Sequence, residues 1–168
     1  MFQMPYDRSV VVACDVRTLV KLQDIVHATS VLRGIGGYKV GFTLVGRFGL
    51  GQVVSVIRSA SVVPLPIIYD HQKGGTDIPK MGEEFALLVK ESGADAAILF
   101  PLAGPAVAER WIQALQAFQD EGVDVIVGGH MTHEKFLESD GGYITNMAPF
   151  SIYAIAAQIR VTHFVVPG

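Results

Sequence analysis

PIIYDHQKGGTDIPKMGEEFALLVKESGADAAILFP, residues 66–101, reads as one complete strand–helix–strand unit. Pro66–Asp70 and Ala96–Pro101 are short apolar runs, and the stretch between them carries apolar residues at helical spacing over Met81–Glu91. The Gly of SGADA stands where that helix should stop and the next strand begin. Strands that are apolar on both faces, as AAILF is, belong to parallel sheets whose faces are both covered.

The same alternation extends in both directions. Strands are expected at Val10–Asp15, Tyr38–Phe42, Val123–Gly128 and Thr162–Val166, giving six in all. The clearest helix is Ala106–Asp120, where Val107, Trp111, Leu115 and Phe118 form one face and Glu109, Arg110, Gln113 and Gln116 the other. Weaker helical patterns cover Thr18–Ala28, Leu44–Ile57 and Ser151–Ile159, and GIGGY at 34–38 reads as a turn leading into a strand. Six strands and five helices in strict alternation, with no linker or low-complexity tract, predict one α/β domain over residues 1–168. An open doubly wound sheet and a closed barrel both fit. The first strand, however, leads into ACDVRTL, which lacks the glycines of a dinucleotide-binding phosphate loop.

Composition narrows the function classes. The 168 residues are 50% hydrophobic with a formal charge of −3 and no long run of either sign, which gives no reason to expect nucleic acid or an anionic membrane as partner. A single cysteine, Cys14, excludes an internal disulfide framework and suits a reducing cytoplasm. MFQMPYDRS has no apolar core flanked by basic residues, so no signal peptide is read there. The longest charge-free stretch, Gly141–Ile159, is broken by Gly142, Asn146 and Pro149 and would make a poor membrane span.

In parallel α/β folds ligands bind beyond the C-terminal ends of strands, so polar residues there weigh most. Asp15, Lys39, Asp70 and Thr132 occupy such positions. Taken singly, each is better read as a helix cap, a surface turn or an ion-paired residue. Lys39 is harder to set aside, because alternation places it opposite Tyr38 and Val40; if those face the helices, Lys39 points into a barrel and needs a carboxylate partner. The densest cluster is YDHQKGGTDIP at 69–79, with Asp70, Lys73 and Asp77 in one connection and Gly74 and Gly75 free to turn. The bland reading is a hydrated turn in which Asp77 caps the next helix.

ACDV, YKVGF, the Asp-Lys-Asp-Ile-Pro segment, SGADAAILFP and HMTH occur in the order and spacing of the orotidine 5'-monophosphate decarboxylase family, which the chain resembles over nearly its whole length. The resemblance implies a (β/α)8 TIM barrel, here with about six of the eight strands. It implies decarboxylation of orotidine 5'-monophosphate to UMP in pyrimidine synthesis, without metal or organic cofactor. Asp15 would bind a ribose hydroxyl, Lys39, Asp70, Lys73 and Asp77 would form the family's Lys-Asp-Lys-Asp array, and Lys73 would donate the proton. Thr132 would meet the pyrimidine edge, and Asp77 with Ile78 would enter the neighbouring site of a homodimer.

Two departures accompany the resemblance. The array runs Asp-x-x-Lys-x-x-x-Asp, one residue wider in each gap than the family pattern, so a bulge or early turn has to bring Asp70 and Lys73 together. The chain also ends at VVPG, aligned with the sixth strand, so the last two strands and the phosphate-gripping loop have no counterpart; this is read as a C-terminally incomplete barrel with little activity alone. Two rivals remain: a Mg²⁺-dependent sugar-phosphate decarboxylase or aldolase of the same suprafamily, and a non-catalytic pyrimidine-nucleotide-binding module. His71, His130 and His133 invite a metal reading that loop roles explain better.

Overall fold

The computed structural model describes residues 4–71 and 74–167. Six strands, β1 (Val10–Ala13), β2 (Ile35–Gly41), β3 (Ile67–Asp70), β4 (Ala96–Leu99), β5 (Asp124–Gly128) and β6 (His163–Val165), form one parallel sheet. Their spatial order is their chain order. A doubly wound sheet reverses direction part-way, putting helices on both faces; sequential order keeps every crossover on one face and curls the sheet toward a barrel. The structure therefore decides between the two architectures. Among the described residues the strands run from β1 at one edge to β6 at the other.

The helices are α1 (Leu19–Thr29), α2 (Phe42–Phe48), α3 (Leu50–Ala60), α4 (Met81–Ser92), α5 (Pro105–Gln116) and α6 (Ala148–Gln158). Local chemistry sets several of their ends. The Thr18 hydroxyl accepts from Lys21 N at 3.3 Å at the start of α1. Pro105 opens α5, and Gly93 closes α4 in the left-handed conformation at φ 76°.

Alternation sorts the strands into two faces. Tyr38, Val40, Ile67, Tyr69, Ala97, Leu99, Val125 and Val127 join the helices' apolar faces in the main core. Ile68, Ala96, Ile98, Phe100 and Ile126 point the other way and form the inner cluster, with Val11, Met131 and Val165 packed against it. Tyr38 and Val40 are fully buried on the helix side, so Lys39 projects inward as the alternation predicts. No helix among the described residues is long and apolar enough to cross a membrane.

Three local expectations are corrected. GIGGY is not a turn: β2 already begins at Ile35, and Gly36 and Gly37 lie within it. A Cβ at Gly36 would meet Ser9 Cβ at 2.3 Å and one at Gly37 would meet Pro66 O at 2.8 Å, so these glycines permit close strand approach, helped by a bulge between Val10 and Val11. The helix expected over Leu44–Ile57 is two, broken at Gly49, whose φ of 78° no helix interior adopts. The helix expected to reach Asp120 ends at Gln116 and is followed by a 3-10 turn, Gln119–Glu121.

The N-terminal rim of the sheet is clasped by charge. Asp95, just before β4, accepts from Ile67 N at 2.6 Å and from Arg58 at 2.7 Å, while Arg58 also donates to Leu65 O and Gly93 O. One guanidinium thereby joins α3, the entry to β3 and the entry to β4.

Candidate functional site

At the opposite rim, a cavity of about 370 Å³ opens beyond the ends of the first three strands, lined by Asp15, Lys39, Gly41, Phe42, Thr43, Asp70 and His71. Its position follows from register. Lys39 pairs with Ile68 and Gly41 with Asp70, which sets the Lys39 and Asp70 side chains on the inner face of adjacent strands. Lys39 Nζ donates to Asp70 Oδ2 at 2.7 Å. Gly41 leaves room between the acids: a Cβ there would stand 3.6 Å from both Asp15 Oδ1 and Asp70 O.

Asp70 is 9% exposed, and its second oxygen, Oδ1, accepts no hydrogen bond among the described residues. A buried carboxylate oxygen without a donor is costly unless water, an ion or a ligand supplies one. The neighbouring Tyr69 hydroxyl is pushed up to about 12 from 10.0, first by burial and then by the Asp70 charge, so it stays protonated across the working range. Cys14, buried under Asp15, is likewise raised from 9.0 to about 12 by burial and then by Asp15, so it is no thiolate nucleophile at neutral pH.

After β3, strand pairing stops at Asp70, and Gly74 N donates to His71 O at 2.6 Å. Gly74 O then accepts from Phe100 N at 2.8 Å, tying the loop to the end of β4. Gly75, at φ 84°, lies so close to Pro101 that a Cβ would meet Pro101 Cα at 2.7 Å. Lys73 lies outside the described residues.

The remaining expected site residues stand apart from this cavity. Asp77 and Ile78 are exposed, Ile78 by 60%. Asp77 does not cap α4; its Oδ1 accepts from the adjacent Ile78 N at 2.7 Å, and Ile78 O accepts from Trp111 Nε1 at 3.0 Å. Thr132 is exposed in the loop after β5 and does not line the cavity. Among the described residues no group of three or more His, Cys, Asp or Glu side chains could hold a metal ion.

Sequence reading weighed His71 only as a metal ligand, whereas it is a wall of the cavity. Its Nδ1 lies 2.9 Å from the Tyr69 hydroxyl, and its ring packs near Tyr69 and Phe85 at centroid distances of 5.4 and 6.0 Å. Its place directly after a strand-end acid was the available signal.

Set beside known proteins, the chain matches no family model and no curated protein. Solved structures do match. An orotidine 5'-monophosphate decarboxylase from Methanocaldococcus jannaschii superposes with a TM-score of 0.75 at 21% identity, covering 94% of this chain and 69% of that one. The chain has the fold of orotidine 5'-monophosphate decarboxylase. A second structure of that decarboxylase, complexed with inhibitor BMP, gives a TM-score of 0.72 at 20% identity over 98% of this chain and 68% of that one. The orotidine 5'-monophosphate decarboxylase fold places the ends of β1, β2 and β3, and with them Asp15, Lys39 and Asp70, on the C-terminal rim, where barrels of this class carry their chemistry.

Proposed function

We propose that the protein decarboxylates orotidine 5'-monophosphate to UMP without a metal, as a cytoplasmic enzyme of pyrimidine synthesis. The observation that carries this reading is the Lys39–Asp70 ion pair, 2.7 Å long, beside Asp15 in a strand-end cavity of the decarboxylase fold.

In this reading Asp15 accepts from a ribose hydroxyl and Lys39 holds Asp70 in place. The C6–carboxylate bond breaks with its electron pair left on C6, CO₂ departs, and Lys73 supplies the proton that forms the new C6–H bond. Electron density at C6 sits in an in-plane orbital that the ring delocalises poorly, so a fixed ammonium nearby lowers the barrier by stabilising the charge as it develops. Asp70, buried and near the substrate carboxylate, disfavours the charged ground state and orients Lys73. Thr132 serves the pyrimidine edge. Exposed Asp77 and Ile78 are suited to reach a neighbouring site in a homodimer.

The test is the loss of orotidine monophosphate absorbance on incubation with the EDTA-treated natural gene product. Turnover that Lys73→Ala abolishes while the far-ultraviolet circular dichroism is unchanged supports the reading; an unaltered absorbance sinks it. Activity that returns only with added Mg²⁺ would favour a sugar-phosphate lyase, and UMP binding without turnover a non-catalytic nucleotide module.

A further inference from the structure

Trp111 reaches the connection between β3 and α4 from a neighbouring helix. It stands on α5 and is 5% exposed, with Phe85 at a centroid distance of 5.1 Å. Its ring lies so close to the α4 backbone that a Cβ at Gly82 would meet its Cδ1 at 2.8 Å, so a glycine there is what admits the indole. Packed in this way the ring has little freedom, and its Nε1 donates to Ile78 O at 3.0 Å.

The Ile78 carbonyl accepts twice, because Met81 N also donates to it, at 3.1 Å, where α4 opens. Ile78 is engaged on its other side as well: its N donates to Asp77 Oδ1 at 2.7 Å, which orients the exposed Asp77 carboxylate. Between these contacts the backbone is stiff, since Pro79 follows Ile78 and restricts it to extended conformations. A carbonyl fixed by Trp111 therefore also fixes the amide that holds Asp77.

We propose that Trp111 is a positioning residue for Asp77, holding the Ile78 carbonyl so that the Asp77 carboxylate keeps one orientation for the site it serves. The inference rests on the decarboxylase reading given above, which puts Asp77 in the charged array, and adds to it the residue that sets Asp77 in place.

Replacing Trp111 by 3-benzothienylalanine, which carries sulfur where the indole has its N–H, removes the hydrogen bond and keeps the ring. Amide hydrogen exchange and turnover of orotidine monophosphate are then compared with wild type, both on the natural gene product. The isostere is expected to speed exchange at Met81 and Gly82 about fivefold, as loss of one hydrogen bond should. It should lower kcat about tenfold and leave KM within about twofold, the pattern of a misplaced reacting group with binding retained. In an Asp77→Asn background the same replacement should change kcat by less than about twofold, because the residue through which it acts is already altered. Unchanged exchange would overturn the anchor. Faster exchange with kcat unchanged, or an equal fall in kcat with and without the Asp77 carboxylate, would overturn the positioning role and leave Trp111 a packing residue. If the wild type turns over no orotidine monophosphate, the decarboxylase reading fails and the role for Asp77 falls with it, whereas the exchange rates still decide whether Trp111 holds the connection.

Discussion

Removing Lys39 should cost more than removing its partner. Asp70's side chain is 10% exposed whereas that of Lys39 is 34% exposed, so the two charges differ in their access to water once separated. Lys39→Met strands a buried carboxylate with neither oxygen paired among the described residues. Breaking a fully buried pair costs about 3–5 kcal/mol and an exposed one about 0–1, so this half-shielded pair should lie near 2 kcal/mol. Asp70→Asn leaves an ammonium on a flexible stem that can swing toward solvent, and should cost about 1 kcal/mol or less. The double variant should be less destabilised than the sum of the two, with a coupling of about 1 kcal/mol. Urea unfolding followed by circular dichroism reads all four corners of this cycle, and for a domain of this size 2 kcal/mol corresponds to a fall in Tm of about 4–8 °C. If the effects simply add, the ion pair contributes nothing to the fold; if Asp70→Asn is the costlier change, the assignment of Asp70 as the less solvated partner is wrong.

Two further outcomes follow from packing and burial. A Cβ at Gly82 would stand 2.8 Å from Trp111 Cδ1 and 2.9 Å from its Cα, so Gly82→Ala must force α4 away from α5 and should cost about 1–3 kcal/mol by thermal unfolding, despite alanine's better helix propensity. Burial raises Cys14 from 9.0 and Tyr69 from 10.0, each to about 12, so the unfolded chain releases these protons first and stability should fall as pH climbs from about 9 to 12. Cys14→Ala should make that alkaline decline shallower in pH-dependent urea titrations, and an identical slope would count against the buried-thiol account.

The strands were legible because β-branched runs alternate with amphipathic stretches, and the inward direction of Lys39 followed from Tyr38 and Val40 alone. Gly36 and Gly37 misled because glycine signals both turns and close approach, and only Ser9 and Pro66, on neighbouring segments, decide between them. The break at Gly49 was hidden for a related reason: apolar residues on both sides continue a helical period that the backbone does not follow. Strand-end position found Asp15, Lys39 and Asp70, all of which line one cavity. It could not find the hold on His71, since that depends on where α4 docks Phe85 against β3. Nor could it reveal that Thr132 would lie outside the cavity, because strand-end position does not fix the course of the loop that follows β5.

The Arg58–Asp95 clasp grips Ile67 at the entry to β3, and Asp70 stands at its exit, three residues on, about 10 Å away along the strand. The strand is thus held by charge at both ends, by Arg58–Asp95 at its entry and by Lys39–Asp70 at its exit. A change at the exit rim leaves the Arg58–Asp95 contacts at the entry rim in place, so β3 keeps one polar anchor when the other is lost.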